Sequence, residues 1–266
     1  IMQLPILFYA CLILPISLIS GPLIPEILIL TSTILMSLKF GLFKDYFFQE
    51  KKFFIIFLLF NIYLIFKLFF SDNYFLSFKN AVPYFRFLII SIIIFMIIDN
   101  FKHKFFNKFL IIHILILFIF VLDGYVSYLT GQNIFGFPSK PDRLSSLFGD
   151  EYILGSYSIR IMPLILVSLI LSSYKEINQK ILFLTILLLI LLIIIMSGER
   201  TALGLYIIFL FLFLFEKSFR KYFIKILLII ALIMSGILFF FSNSLFVKKI
   251  IYDTINQVYD NKSINF

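Results

Sequence analysis

The sequence predicts an all-α chain, a polytopic integral membrane bundle of about nine transmembrane helices. Three observations carry that reading. Of the 266 residues, 62% are hydrophobic and 14% are charged. A soluble domain has about 45–50% apolar and about 25% charged residues. The mean hydropathy is +1.10. The apolar residues also fall in runs of spanning length, since a bilayer core of about 30 Å needs roughly 20 apolar residues as helix. These features exclude an ordinary soluble enzyme, a disordered linker and a disulfide scaffold. The lone cysteine, Cys11, has no intrachain partner for a disulfide or a cysteine metal cluster.

Taken in order, the runs predict spans at 2–20, 23–39, 53–70, 82–98, 109–127, 152–172, 180–197, 200–215 and 224–241. The first has no basic leader region and passes through Gly21-Pro22 into a second apolar run, so it does not read as a signal peptide. The run 181–215 would be about 52 Å long as one helix, too long for one crossing, and it divides at Ser197-Gly198-Glu199-Arg200-Thr201. Residues 1–241 therefore form one helical membrane domain with an outer loop at 128–151. Residues 242–266, with Val247, Ile250, Ile251, Ile255, Val258 and Tyr259 at spacings of three and four, predict an amphipathic helix at the start of an outer loop.

The formal charge of +9 is an orientation signal rather than a nucleic-acid signal. The connections 39–52, 99–108, 174–180 and 216–225 hold most of the lysines and arginines, and the alternate connections hold fewer and are slightly acidic. The positive-inside rule puts the first set and the N-terminus in the cytoplasm, and Phe266 outside.

Charged groups within or beside the spans mark candidate sites. Lys67 is near an outer span end, where its stem lets it snorkel. Arg86 lies about a turn below the outer surface. Arg160 lies about 13 Å into the sixth span counted from Glu151, which calls for a polar cavity or an anionic partner. Asp150 and Glu151 stand at the start of that span, where they complement the helix dipole or serve catalysis. Glu199 and Arg200 are expected in a recessed turn, paired with each other or facing a ligand. Arg86, Arg143, Arg160 and Arg200 together form a basic set in the outer half of the membrane. Guanidinium binds phosphate in a bidentate fork, so the set suits a phosphate-bearing lipid head group. His103 and His113 are on the cytoplasmic side and cannot serve as base there. No Walker loop, GxGxxG, HExxH or zinc spacing occurs.

At these residues the chain resembles the O-antigen ligase and O-antigen polymerase family of bacterial inner membranes. The matching segments are Asp123 with Gly131-Gln132-Asn133-Ile134-Phe135-Gly136, then Arg143-Leu144-Ser145-Ser146-Leu147-Phe148-Gly149-Asp150-Glu151 leading to Leu154-Gly155-Ser156, then Ser197-Gly198-Glu199-Arg200-Thr201-Ala202. The resemblance implies an inner-membrane glycosyltransferase with an outward-facing site. Its donor would be an undecaprenyl-pyrophosphate-linked glycan, and its acceptor the lipid A core or a second lipid-linked glycan. Arg143 and Arg200 would hold the pyrophosphate, aided by Arg160 and Arg86, with Glu199, Asp150 and Glu151 in support and neither metal nor cofactor. The family carries its candidate base, a histidine, in a large outer loop after the span matching 224–241. This sequence stops at Phe266, at what resembles the start of that loop. The resemblance therefore implies a catalytic base beyond Phe266, and a fragment that lacks it and is inactive alone.

Two rivals stand beside this reading. A flippase for lipid-linked sugars would place polar residues through the whole bundle, whereas the charges here gather toward one face. A non-catalytic membrane subunit would tolerate loss of Arg143 and Arg200. The topology has a direct test. A cysteine introduced at position 143 should react with a membrane-impermeant maleimide applied to the outer face, and labelling only after the cytoplasmic side is opened would remove the basis of the phosphate argument.

Overall fold

A computed structural model describes residues 3–38, 40–49, 51–139, 143–149 and 151–213. The described residues are 86% helical and contain no strand. Their α-helices are α1 (Gln3–Ser17), α2 (Leu23–Ser37), α3 (Phe40–Gln49), α4 (Lys51–Lys67), α5 (Tyr74–Ala81), α6 (Arg86–Thr130), α7 (Leu154–Ile170), α8 (Glu176–Ser197) and α9 (Arg200–Phe213). Among the described residues, three helical stretches are long and apolar enough to cross a membrane: Lys51–Phe70, Tyr74–Thr130 and Glu176–Ser197. The other apolar helices are shorter; α7, for instance, rises only about 25 Å. The expected span 224–241 and the expected amphipathic helix 242–266 lie outside the described residues. So does Phe266, and with it the expectations of an outer-face end and of a catalytic base farther on.

The chain divides at Phe105/Phe106 into two compact units. In the first, α1 tightens through a 3-10 turn at Leu18–Ser20 and stops at Gly21, whose φ of +87° suits glycine. Pro22 then leads into α2. Phe8 of α1 packs edge-on against Phe101, at 5.1 Å between centroids. The Tyr46 hydroxyl donates to Asp99 at 3.2 Å and accepts from Asn100 at 2.9 Å, tying α3 to α6. Phe54 stacks on Phe47 and meets Phe95 edge-on. Much of the outward surface of α4 and of the 3-10 turn after it is apolar: Phe53, Ile56, Phe66 and Phe69 are all exposed. A large exposed apolar face is unusual in water but compatible with a membrane protein.

The structure differs from the sequence expectation in the middle of the chain. Segment 99–108, expected as a connection between two spans, is helical, and α6 runs unbroken for 45 residues. Its path is about 67 Å, roughly twice the thickness of a bilayer core. The physical reason is local. Asp99-Asn100-Phe101-Lys102-His103-Lys104 contains neither Gly nor Pro, and charge alone does not break a helix. Asn100 returns its side chain to the Met96 carbonyl at 2.8 Å, within the helix. Asp99, Lys102, His103 and Lys104 are exposed while Phe105 and Phe106, next along the helix, are buried. The connections 39–52 and 71–81 likewise contain α3 and α5, the latter capped by Asn73, whose side chain accepts from Leu76 N at 3.2 Å.

In the second unit, α7 and α8 form an antiparallel hairpin through residues 171–175. The buried residues of α8 are Phe183, Ile186, Leu187, Ile190, Leu191, Ile193, Ile194 and Ser197, at helical spacing. They face Tyr157, Met162, Ile165, Leu166 and Leu169 among the buried residues of α7. The α8–α9 corner turns at Gly198, which is left-handed with φ +66°. The Tyr206 hydroxyl, fully buried, donates to the Leu187 carbonyl at 3.0 Å and fixes α9 on α8. Asn107 of α6 exchanges two hydrogen bonds with Ser173.

Helix continuity at 99–108 is testable. His103→Pro should cost about 3 kcal/mol, because proline removes one helical hydrogen bond and clashes with the preceding turn. Thermal unfolding of the detergent-solubilised protein checks this; a variant as stable as the parent would mean that the segment is a loop.

Candidate functional site

The segments Asp123–Gly136, Arg143–Ser156 and Ser197–Ala202 meet at one end of the second unit. The meeting is built from two buried carboxylates: Asp123 bonds a backbone N–H of its own segment and a hydroxyl of the second, and Glu199 bonds two backbone N–H groups and a hydroxyl of the second.

Asp123 of α6 is 0% exposed. One carboxylate oxygen accepts the Ile134 N–H at 2.7 Å, and the other accepts the Ser146 hydroxyl at 2.5 Å. Asn133 organises the intervening loop. Its side-chain oxygen accepts from Phe135 N at 3.0 Å and Phe137 N at 2.9 Å, and its amide donates to the Ser146 carbonyl at 3.1 Å. This is an Asx-type turn closed by the bridge between Gln132 and Pro138. Ser146 holds a φ of +51°, sparsely populated for a residue with a Cβ. Its bonds to Asp123 and Asn133 hold that conformation in place. A 3-10 turn at Ser146–Phe148 follows, and Phe148 packs on Phe120 and Tyr157.

Glu199 is the second carboxylate, 6% exposed. It accepts the N–H groups of Gly155 at 2.9 Å and Ser156 at 3.0 Å, and also the Ser156 hydroxyl. Those N–H groups open α7, whose own N-cap residue, Ile153, has no side chain able to cap. Glu199 is therefore an N-cap delivered from the α8–α9 corner, an anion on the positive end of a helix. Gly155 is required by the close approach. A Cβ there would meet the Ser197 hydroxyl and lie 3.2 Å from both Cβ and Cδ of Glu199.

The arginine of the loop is fixed beside this junction. The Arg143 guanidinium donates from Nη2 to the Tyr152 carbonyl at 2.8 Å and lies 5.5 Å from the centre of the Tyr152 ring. Its Nε is buried and has no acceptor among the described residues. Leu144 N donates to the Met196 carbonyl at 3.4 Å, which holds the loop at Arg143 against the end of α8. Arg200 is half-buried and opens α9, where the helix end is already electropositive.

Several expected site residues are placed otherwise. Arg86 belongs to the first unit and is ion-paired with Glu26 of α2, at 2.5 and 2.6 Å. A carboxylate 60 residues away in sequence answers its charge. Arg160, in the interior of α7, is exposed. The Glu199 carboxylate, expected to pair with Arg200 or face a ligand, is turned onto the first turn of α7. The helix-start role expected of Asp150 and Glu151 is thus filled from across the fold by Glu199. Glu151 is exposed and stands before the first turn, and Asp150 lies outside the described residues. The base expected beyond Phe266 has no counterpart to examine, since the described residues end at 213. Sequence reasoning assigned no role to Asn133, Ser146 or Tyr152. The Gly-Gln-Asn-Ile-Phe-Gly pattern is a turn signal that could have marked Asn133. Nothing local marks Tyr152, which contributes a carbonyl.

Comparison with family profiles, with curated proteins and with solved structures finds no match to this chain.

The junction makes a graded prediction. Glu199→Ala should destabilise the protein by about 2–3 kcal/mol, the worth of charge-assisted hydrogen bonds to a buried helix end. Gly155→Ala should cost about 1–3 kcal/mol by overpacking, and Ser197→Ala in the same chain should recover part of it. Thermal unfolding of the single and double variants measures both, and Gly155→Ala behaving as parent would refute the close approach.

Proposed function

We propose that this chain is a polytopic inner-membrane glycosyltransferase that uses an undecaprenyl-diphosphate-linked glycan as donor, with about nine spans and its N-terminus in the cytoplasm. The product is a surface polysaccharide, by polymerisation onto a second lipid-linked glycan or by ligation to a lipid A core. The observation that carries the reading is Arg143: a half-buried guanidinium held by a carbonyl and a ring, with Nε lacking an acceptor among the described residues. A cation held in place before its ligand arrives stabilises charge at low reorganisation cost.

The chemistry needs such a group. An acceptor hydroxyl attacks the anomeric carbon of the donor. The bond from that carbon to the diphosphate oxygen breaks as the new glycosidic bond forms, and the acceptor oxygen gives up its proton to the departing diphosphate or to solvent water. Negative charge accumulates on the leaving diphosphate. Arg143 and Arg200, on loop and helix segments joined through Leu144–Met196 and Glu199–α7, supply two guanidiniums for it. Arg160 lies on the same helix that Glu199 caps and is a weaker candidate. Arg86 is already neutralised by Glu26, which removes it from the set.

Arg143→Ala and Arg200→Ala, each installed in the chromosomal gene, should lower polysaccharide product by about 100-fold, the usual effect of removing a group that stabilises transition-state charge. The undecaprenyl-diphosphate-linked glycan should accumulate at the same time. Product at the parental level from both variants, with the protein present in normal amount, would overturn the proposal.

A further inference from the structure

A second polar feature lies in the first unit, apart from the arginine site. The end of α4, the turn Leu68–Phe70, α5 and the turn Val82–Phe85 enclose a groove of about 510 Å³ lined by Phe60, Leu64, Lys67, Asp72, Asn80 and Tyr84 among others. Phe60, Leu64 and Lys67 are four and three residues apart on one face of α4. Over about 10 Å the wall therefore changes from aromatic to aliphatic to cationic. Tyr84 packs on Phe60, with centroids 6.2 Å apart. Past the helix end the wall becomes polar, with Asn80 and with Ser71 and Ser77, whose hydroxyls are hydrogen-bonded at 2.5 Å.

The polar end of the groove lies where the apolar span Lys51–Phe70 runs out. A helix of that length ends at head-group depth, where Lys and Tyr are the usual interface residues. Lys67 and Asp72 line the groove without closing on each other as an ion pair. One ammonium and one carboxylate at the mouth of an apolar groove, neither in an ion pair among the described residues, complement a ligand that carries both charges.

We propose that this groove binds an aminophospholipid of the bilayer. One acyl chain lies along Phe60 and Leu64, the phosphate on Lys67, and the primary ammonium on Asp72. The charge pattern decides among lipids. Phosphatidylglycerol would satisfy Lys67 but leave Asp72 beside further negative charge. Phosphatidylcholine has no N–H to donate to a carboxylate. A polyprenyl phosphate carries no cation for Asp72. The site is independent of the glycosyltransferase reading, since its ligand is a structural lipid and no catalytic arginine lines it.

The test is lipid retention by the full chain. The protein is reconstituted in nanodiscs holding equal amounts of phosphatidylethanolamine, phosphatidylglycerol and phosphatidylcholine with a minor share of undecaprenyl phosphate, then released into detergent and examined by native mass spectrometry. Phosphatidylethanolamine should be retained above the others. Lys67→Gln should reduce its retention about five-fold, as expected for one cation at a head group, and Lys67→Arg should restore it. Asp72→Asn should abolish the preference for phosphatidylethanolamine over phosphatidylglycerol. Equal retention of all four lipids would overturn the proposal, as would retention unaffected by Lys67→Gln. Preferential retention of undecaprenyl phosphate would overturn it too, assigning the groove to an isoprenoid ligand. None of these outcomes bears on the product assays of Arg143 and Arg200.

Discussion

The carboxylate of Glu199 on the first turn of α7 is the contact around which the second unit is arranged. A helix beginning beside apolar neighbours cannot leave its first N–H groups unanswered, because each unmet buried donor costs about 1–3 kcal/mol. Ile153, at the N-cap, offers nothing. The answer comes from the α8–α9 corner, and it dictates much else. Gly155 must lack a side chain, Ser156 must be able to donate, and Gly198 must turn left-handed so that Glu199 is presented immediately after α8. The same contact sets Arg200 at the head of α9, beside the junction.

Asp123 solves a parallel problem for the loop. A polar loop packed against apolar helices must have its backbone groups paired. Asp123 and Asn133 accept the N–H groups of Ile134, Phe135 and Phe137, and both bond to Ser146, which holds an unusual backbone conformation. The gain is rigidity at the place where Arg143 leaves the loop.

The α6 helix shows how far hydropathy and charge can be carried. Each of its two apolar halves was legible, because an apolar run has the same signature wherever it sits. The join was not. Lys102, His103 and Lys104 carry the signature of a cytoplasmic loop, yet such residues are ordinary helix formers, and here they are exposed turns of a helix whose next residues, Phe105 and Phe106, are buried. Charge runs report on solvent and orientation, while helix breaks are made by Gly, Pro and caps. At Gly21 and Gly198 those breakers are present, and there the expected boundaries and the observed ones agree to within a few residues.

Local information was thus sufficient for the helical class, the placement of most apolar helices and the breaks at glycine. These depend on composition and on periodicity along the chain. What each polar side chain does was decided only by tertiary structure. Arg86 is matched by Glu26, Glu199 caps a helix that begins 45 residues before it, and Asp123 reaches a hydroxyl 23 residues ahead. The partner of a buried charge is set by which distant elements approach within hydrogen-bonding distance. That approach follows from packing of apolar faces, which short polar motifs do not encode.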